Sequence, residues 1–373
     1  MGFFYIATQN TSLKRILVSV TNDLTTDQRV DKVCNSLLKL NYDVLLIGRK
    51  LKNSIPISKT YHTKRFHLFF NSGFLFYAEY NIRLFFFLLF SKKDILLAND
   101  LDTLTANFLV SKIQHKKLVY DSHELFTEIP ELVHRKKVKK VWLNLEEWIF
   151  PKLKNVYTVN KSIAKIYAEK YKLNVNVIKN YPYYKLIEKG KFDFNTKGKK
   201  IILYQGAINI GRGLELMIET LKLLENYLLV IIGDGDILEE LKKKVSLENL
   251  NGRIFFLGKI PPKELQHLTP LADVGFSLEE DLGLNYHYAL PNKIFDYIQA
   301  EIPVIISDLP EMKQVISNYK VGEILVERSP ESLAKLIDKT IKNNYLPNLK
   351  TAKKILAWEI QEEKLWDIFK KLM

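Results

Sequence analysis

Short unbroken apolar runs alternate along the chain with amphipathic stretches, and most of the runs end in polar residues or glycine. The first, residues 16–20 (ILVSV), has the pattern of a parallel strand covered on both faces. The polar loop TNDLTTDQR follows, then apolar residues at helical spacing over 30–40, then a second strand at 43–48. Residues 95–100, 117–122 and 155–160 read as further strands, with helical patterns between them. The order then starts again. Residues 199–207 make a strand and glycine turn, 214–224 a helix, and 227–236 a strand and turn, with strands at 253–258, 272–278 and 303–307. Strand alternating with helix predicts an α/β protein of two doubly wound, Rossmann-like domains.

The stretch 180–199 is polar, flanked by aromatics and without periodicity, which makes it the linker. The expected domains are 1–183 and 184–351, with a final helix at 352–373 returning to the first. A chain of 373 residues suits two domains of ordinary size. Two such sheets facing each other bring their carboxyl ends around one cleft, where ligands of open α/β sheets bind.

At 47% apolar and 26% charged residues, the composition supplies real cores and leaves little for disorder. The single cysteine, Cys34, excludes a disulfide framework and reads as a small buried residue in a reducing compartment. The net charge of +14 asks for an anionic partner: nucleic acid, a membrane surface or a phosphorylated substrate. Neither zinc spacing nor an aromatic RNA-binding pattern is present, so nucleic acid is not expected. The N-terminal residues lack the order of a signal peptide. The Phe-rich segment 66–90 is interrupted by His67, Asn71, Glu79, Asn81 and Arg83, short of the ~20 apolar residues of a bilayer span. Combined with the basic run HRKKVKKVW (134–142), it fits either peripheral contact with a membrane surface or a buried core helix beside a solvated basic one.

Candidate chemistry gathers where strands end. In EDLGLNYHYALPNKIFDYIQAEIPVIISDLP a loop opens a helix that carries Lys293 in its first turn and Asp296 just beyond. A cation is normally disfavoured there, so Lys293 implies a nearby anion, and Asp296 suits a vicinal diol. Glu280 precedes them in the loop. Gly206 and Arg212, in YQGAINIGRG, offer a close backbone approach and a fork for phosphate oxygens. The turn of IIGDGD supplies Gly233 and Asp234. In the first half, His123 and Glu124 follow a buried strand, and Asn22, Asp23 and Arg29 lie in or beside the polar loop. Asn22, Asp23, Arg29 and Glu124 are the candidates for holding an acceptor. His123 has no second histidine at ligand spacing, so no metal is expected.

These segments resemble family 4 glycosyltransferases of the GT-B fold, the retaining kind found in bacterial polysaccharide assembly. The likeness is carried by TNDLTTDQRV, YDSHELF, YQGAINIGRGLELMIE, IIGDGD, FFLGKI, ADVGFSL and PNKIFDYIQAEIPVIISDLPE. It implies transfer of a sugar from a nucleoside diphosphate sugar to a lipid-linked or saccharide acceptor, without a cofactor or metal, at the inner face of the cytoplasmic membrane. It further implies a donor site of Gly206, Arg212, Gly233, Asp234, Phe256, Leu257, Glu280, Asn292, Lys293 and Asp296, with the backbone near Phe256 and Leu257 at the base. His123, Arg212 and Lys293 would serve catalysis. Tyr288 stands eight residues before Asp296, where the family has the first Glu of its Glu-x7-Glu motif, and Ala207 stands where it commonly has Arg. A nucleotide-sugar epimerase of the same fold and a non-catalytic scaffold are the alternatives.

Overall fold

The computed structural model describes residues 13–129, 132 and 135–372. Residues 1–12, which bear on the signal-peptide reading, and His134 of the basic run lie outside the described residues. The first sheet contains β1 (Arg15–Ser19), β2 (Asp43–Lys50), β3 (His62–His67), β4 (Ile95–Asn99), β5 (Lys117–Ser122), β6 (Asn155–Thr158) and β7 (Val175–Val177). Its order is β3-β2-β1-β4-β5-β6-β7, every pair parallel. The second contains β8 (Lys200–Gln205), β9 (Tyr227–Ile232), β10 (Ile254–Gly258), β11 (Val274–Ser277), β12 (Val304–Ser307) and β13 (Gly322–Leu325). It runs β10-β9-β8-β11-β12-β13, again all parallel. Both sheets reverse their strand order beside the first strand, at β1/β4 and β8/β11, which opens the crevice typical of doubly wound folds.

The expected strands are present, and three more stand beside them. β3, β7 and β13 lie at sheet edges, where burial on two faces no longer demands an apolar run. β3 alternates exposed residues with the half-buried Thr63 and Arg65 before the buried Phe66.

The helix Asn292–Gln299 is pinned by Tyr297. Its hydroxyl accepts from the Gln205 N–H (3.1 Å) and reaches the Phe276 carbonyl (3.2 Å), tying β8 to β11 where they begin to part. Gly275 makes room for the ring, since a Cβ there would lie 2.5 Å from it.

The closing segment is two helices rather than one. Leu346–Ile355 packs Leu349 and Ala352 into the second domain beside Ile294 and Ile298. The helix breaks at Leu356 and Ala357, and Trp358–Lys370 packs Trp358, Leu365 and Phe369 into the first domain. Trp358 is fully buried, with its indole N–H donated to Ser36 Oγ (3.0 Å) and its backbone N–H to the Pro182 carbonyl (2.7 Å).

The Phe-rich segment also differs from expectation. Its helix begins only at Gly73, which leaves His67 and Asn71 outside. Gly73–Phe90 is, by length and composition, long and apolar enough to cross a membrane, yet 22% of it is buried.

Candidate functional site

Lys293 emerges in the first turn of Asn292–Gln299 because Pro291 starts the helix with no side-chain cap. Its ammonium reaches back along the helix toward the end of β8 and lies over the Tyr204 ring, 4.1 Å from the centroid. Gly206 faces it closely: a Cβ at Gly206 (φ +136°) would sit 3.5 Å from Lys293 Cε. What holds the ammonium is Glu279, fully buried two residues past β11, at 2.9 Å. Arg212 Nη1 lies 3.4 Å from the same Glu279 oxygen, while Ser277 Oγ donates to the other (2.7 Å). Burial would raise the Glu279 carboxyl, but Lys293, Ser277 and Arg212 hold it below the usual carboxylate range. Two cations on one carboxylate leave one net positive charge at a helix start, a setting built for an anion.

Asp296 stands one turn further along and accepts from Gln205 Nε2 (3.2 Å). Burial pushes its carboxyl up to about 6, against the pull of Lys32 and Lys185. Asp296 lies between two cavities of about 840 and 720 Å³ and lines both. The larger lies between the domains and includes Arg29, His123, Glu124, Arg212 and Asn292 in its wall. The smaller extends toward the linker and the helix Pro262–Leu268.

Across the cleft, His123 is clamped. Its Nδ1 is 3.2 Å from Asp100 and its Nε2 is 3.2 Å from Asp121, while its backbone N–H donates to Asp100 (2.9 Å). Burial alone would lower the imidazolium, but Asp100 and then Asp121 outweigh it and hold it up at about 10. Burial raises Asp100 itself to about 7. With both ring nitrogens turned to carboxylates, His123 is a fixed cation rather than a base near neutral pH.

The remaining acceptor candidates divide. Glu124 faces the larger cavity and accepts from Asn285 Nδ2 (2.8 Å) across the domains. Arg29 also lines it, but its guanidinium is buried and spent on Asp121 (2.7 and 3.0 Å) and on the Ile178 carbonyl (2.9 Å). Asn22 and Asp23 line neither cavity: Asn22 donates to Asp27, and Asp23 accepts from Thr25 and Ser54. Asp27 in turn caps the helix Gln28–Lys39, its side chain accepting from the Val30 N–H.

On the donor side, Gly233 (φ +149°) packs so tightly on Gly206 that a Cβ would lie 1.8 Å from the Gly206 carbonyl oxygen. Asp234 is spent on the Gly235 N–H and on Lys259. Phe256 and Leu257 line neither cavity. Glu280 is half-buried beside Arg328 (3.5 Å), whereas its neighbour Glu279 is the fully buried anchor. Strand parity carried that signal. Gly275, Ser277 and Glu279 share one side of β11 and its extension, opposite Phe276 and Leu278 in the core. Tyr288, where the resemblance implies a Glu, lines the larger cavity, and its carbonyl accepts from Asn160 Nδ2 (2.8 Å). Asn160, Asn209, Asp236 and Asn285 line it as well. Among the described residues, no group of three or more His, Cys, Asp or Glu is placed to hold a metal.

Two facing Rossmann-like domains with a cleft between them define the GT-B fold of glycosyltransferases. Residues 187–355 match the family described as "Glycosyl transferases group 1". No curated protein matches the chain. Among solved structures, the sucrose-phosphate synthase of Thermosynechococcus elongatus is similar in fold (TM-score 0.78, 15% identity, 96% of this chain and 99% of that one). So are Anabaena HepE in complex with UDP-glucose (0.71, 13%, 96% and 99%) and WaaG, a glycosyltransferase of lipopolysaccharide biosynthesis (0.65, 14%, 95% and 99%).

Proposed function

We propose that the protein transfers a glycosyl group from a nucleoside diphosphate sugar to an acceptor hydroxyl, with retention at the anomeric carbon, in surface polysaccharide or glycolipid assembly. The observation that carries this reading is the pair Lys293 and Arg212 gathered on buried Glu279 at the start of a helix, with Asp296 one turn on. The diphosphate meets the two cations, and the ribose diol donates to Asp296. Asp296 lines both cavities, so the nucleoside can extend into the smaller while the sugar projects into the larger, toward His123 and Glu124.

In the reaction the anomeric C–O bond to the diphosphate breaks, a bond to the acceptor oxygen forms, and the acceptor proton leaves with the diphosphate. Charge grows on the leaving group beside Arg212, which lines the larger cavity and shares the buried Glu279 carboxylate with Lys293. Imidazolium His123 acts through its charge across the cleft. The group 1 domain match and the UDP-glucose complex of HepE support a nucleotide-sugar donor and make UDP-sugars the first to test.

The test is a thermal-shift series with UDP-, GDP- and ADP-sugars, followed by product analysis of the stabilising donor with and without candidate acceptors. The reading expects one donor class to stabilise the protein and a glycosylated product that requires acceptor. A changed free sugar from donor alone would identify an epimerase, and no stabilisation by any donor would support a scaffold.

A further inference from the structure

The buried cations Arg29, Lys293 and Lys353 each meet a carboxylate: Asp121 at 2.7 Å, Glu279 at 2.9 Å and Glu301 at 3.2 Å. Lys32, on the helix Gln28–Lys39, is as buried (7% exposed) but forms no ion pair with any described residue. Its ammonium donates to the Tyr181 carbonyl and lies over the Trp358 ring, 5.0 Å from the centroid. An ammonium carries three N–H donors, so at least one lacks an acceptor among the described residues. A buried charge in that state is costly unless another group meets it.

Lys32 faces the smaller cavity. It lines that space from the first domain beside Asp31, and Asp296 lines it from the second. Asp31 is engaged elsewhere, by Lys59 (2.8 Å) and the Tyr61 hydroxyl (2.6 Å). Burial disfavours the charged form of both Lys32 and Asp296. Asp296 is the strongest opposing pull on Lys32, and Lys32 the strongest on Asp296. The two bracket a polar space across the domain boundary without forming an ion pair. Lys32 also stands at the hinge. The Tyr181 carbonyl belongs to the linker and Trp358 to the returning helix, and the Trp358 N–H donates to the Pro182 carbonyl (2.7 Å), so this one ammonium touches both crossings between the domains.

We infer that Lys32 is a nucleoside-binding residue contributed by the first domain, donating to one hydroxyl of the ribose diol while Asp296 accepts from the other. A hydroxyl both donates and accepts, so a vicinal diol suits a carboxylate on one side and an ammonium on the other. The inference rests on the nucleotide-sugar reading of the cleft and adds to it a contact from the opposite domain. The bound ribose gives the buried ammonium its missing acceptor and joins the two domains at their hinge. Lys32 was not conspicuous in the sequence, where it is one lysine among many on an amphipathic helix.

The test is calorimetric titration of the intact protein with UDP, GDP and ADP and with their 2′-deoxy and 3′-deoxy forms, on wild type, Lys32→Met and Lys32→Gln. Met keeps the apolar stem without the charge. Gln keeps a donor for the Tyr181 carbonyl and serves if the Met variant does not fold. Wild type is expected to bind the ribonucleotide about tenfold tighter than one of its deoxy forms, as for loss of a hydrogen bond to a charged group. The ribonucleotide should weaken in both variants, by about that factor in Lys32→Met, while the same deoxy form binds as it does to wild type. A loss shared equally by ribo and deoxy forms makes Lys32 a hinge strut and overturns the inference, as does unchanged ribonucleotide affinity in the variants. Failure of wild type to bind any of the nucleoside diphosphates overturns the donor reading itself, and this inference with it.

Discussion

Glu279 is the residue on which the proposed donor site turns, since one buried carboxylate aims two cations. Replacing Lys293 or Arg212 by Ala is expected to lower kcat about 10²-fold, the usual loss when a charge-stabilising donor is removed. Glu279→Gln should act less directly, loosening both cations, and melting curves will separate that from unfolding. The sequence made Lys293 conspicuous, because a cation in a first helical turn is a local anomaly. It did not single out Glu279 from Glu280, since only strand parity, once the end of β11 is known, tells inside from outside. His123 was likewise visible, but its two carboxylate partners come from β5 and from the residue after β4, brought together by the fold. Its imidazolium titrates at about 10 in the folded protein against about 6.5 when unfolded. The stabilisation it gives is therefore complete below pH 6.5 and is lost as pH rises through 10. Denaturant titrations across that range should show stability falling with pH, and a flatter profile in His123→Gln.

At the level of elements, the central strands were legible because burial on both faces forces continuous apolar runs. The edge strands β3, β7 and β13 and the break at Leu356–Ala357 were not, since local sequence there is set by long-range packing. The glycine turns show how elements shape the site. Gly233→Ala would drive a Cβ into the Gly206 carbonyl from a left-handed conformation, and should destabilise by about 3 kcal/mol or more in chemical denaturation. Gly252→Ala, with open space around it, should stay within about 0.5 kcal/mol and serves as the control.

For the whole molecule, contacts across the cleft tie the domains together: Asn285 to Glu124, Asn160 to the Tyr288 carbonyl, and the Ser162 N–H to Glu311 (2.8 Å). Asn285→Ala should raise KM more than it lowers kcat, because it removes a closing contact and no reacting group. The two-domain plan was readable from the repeated strand-helix order, whereas these contacts join residues more than a hundred positions apart. The ribose subsite predicts a pH response. Asp296 titrates at about 6, so nucleotide affinity should fall as pH drops below that value and the carboxylate is neutralised, and Asp296→Asn should abolish the dependence. The most direct measurement is calorimetric titration of the intact protein with UDP, GDP and ADP, repeated on Lys293→Ala and Arg212→Ala. Saturable binding of one nucleoside diphosphate, weakened about tenfold or more in each variant, is what the account predicts. No binding of any of the three, or affinity unchanged in both variants, would contradict it.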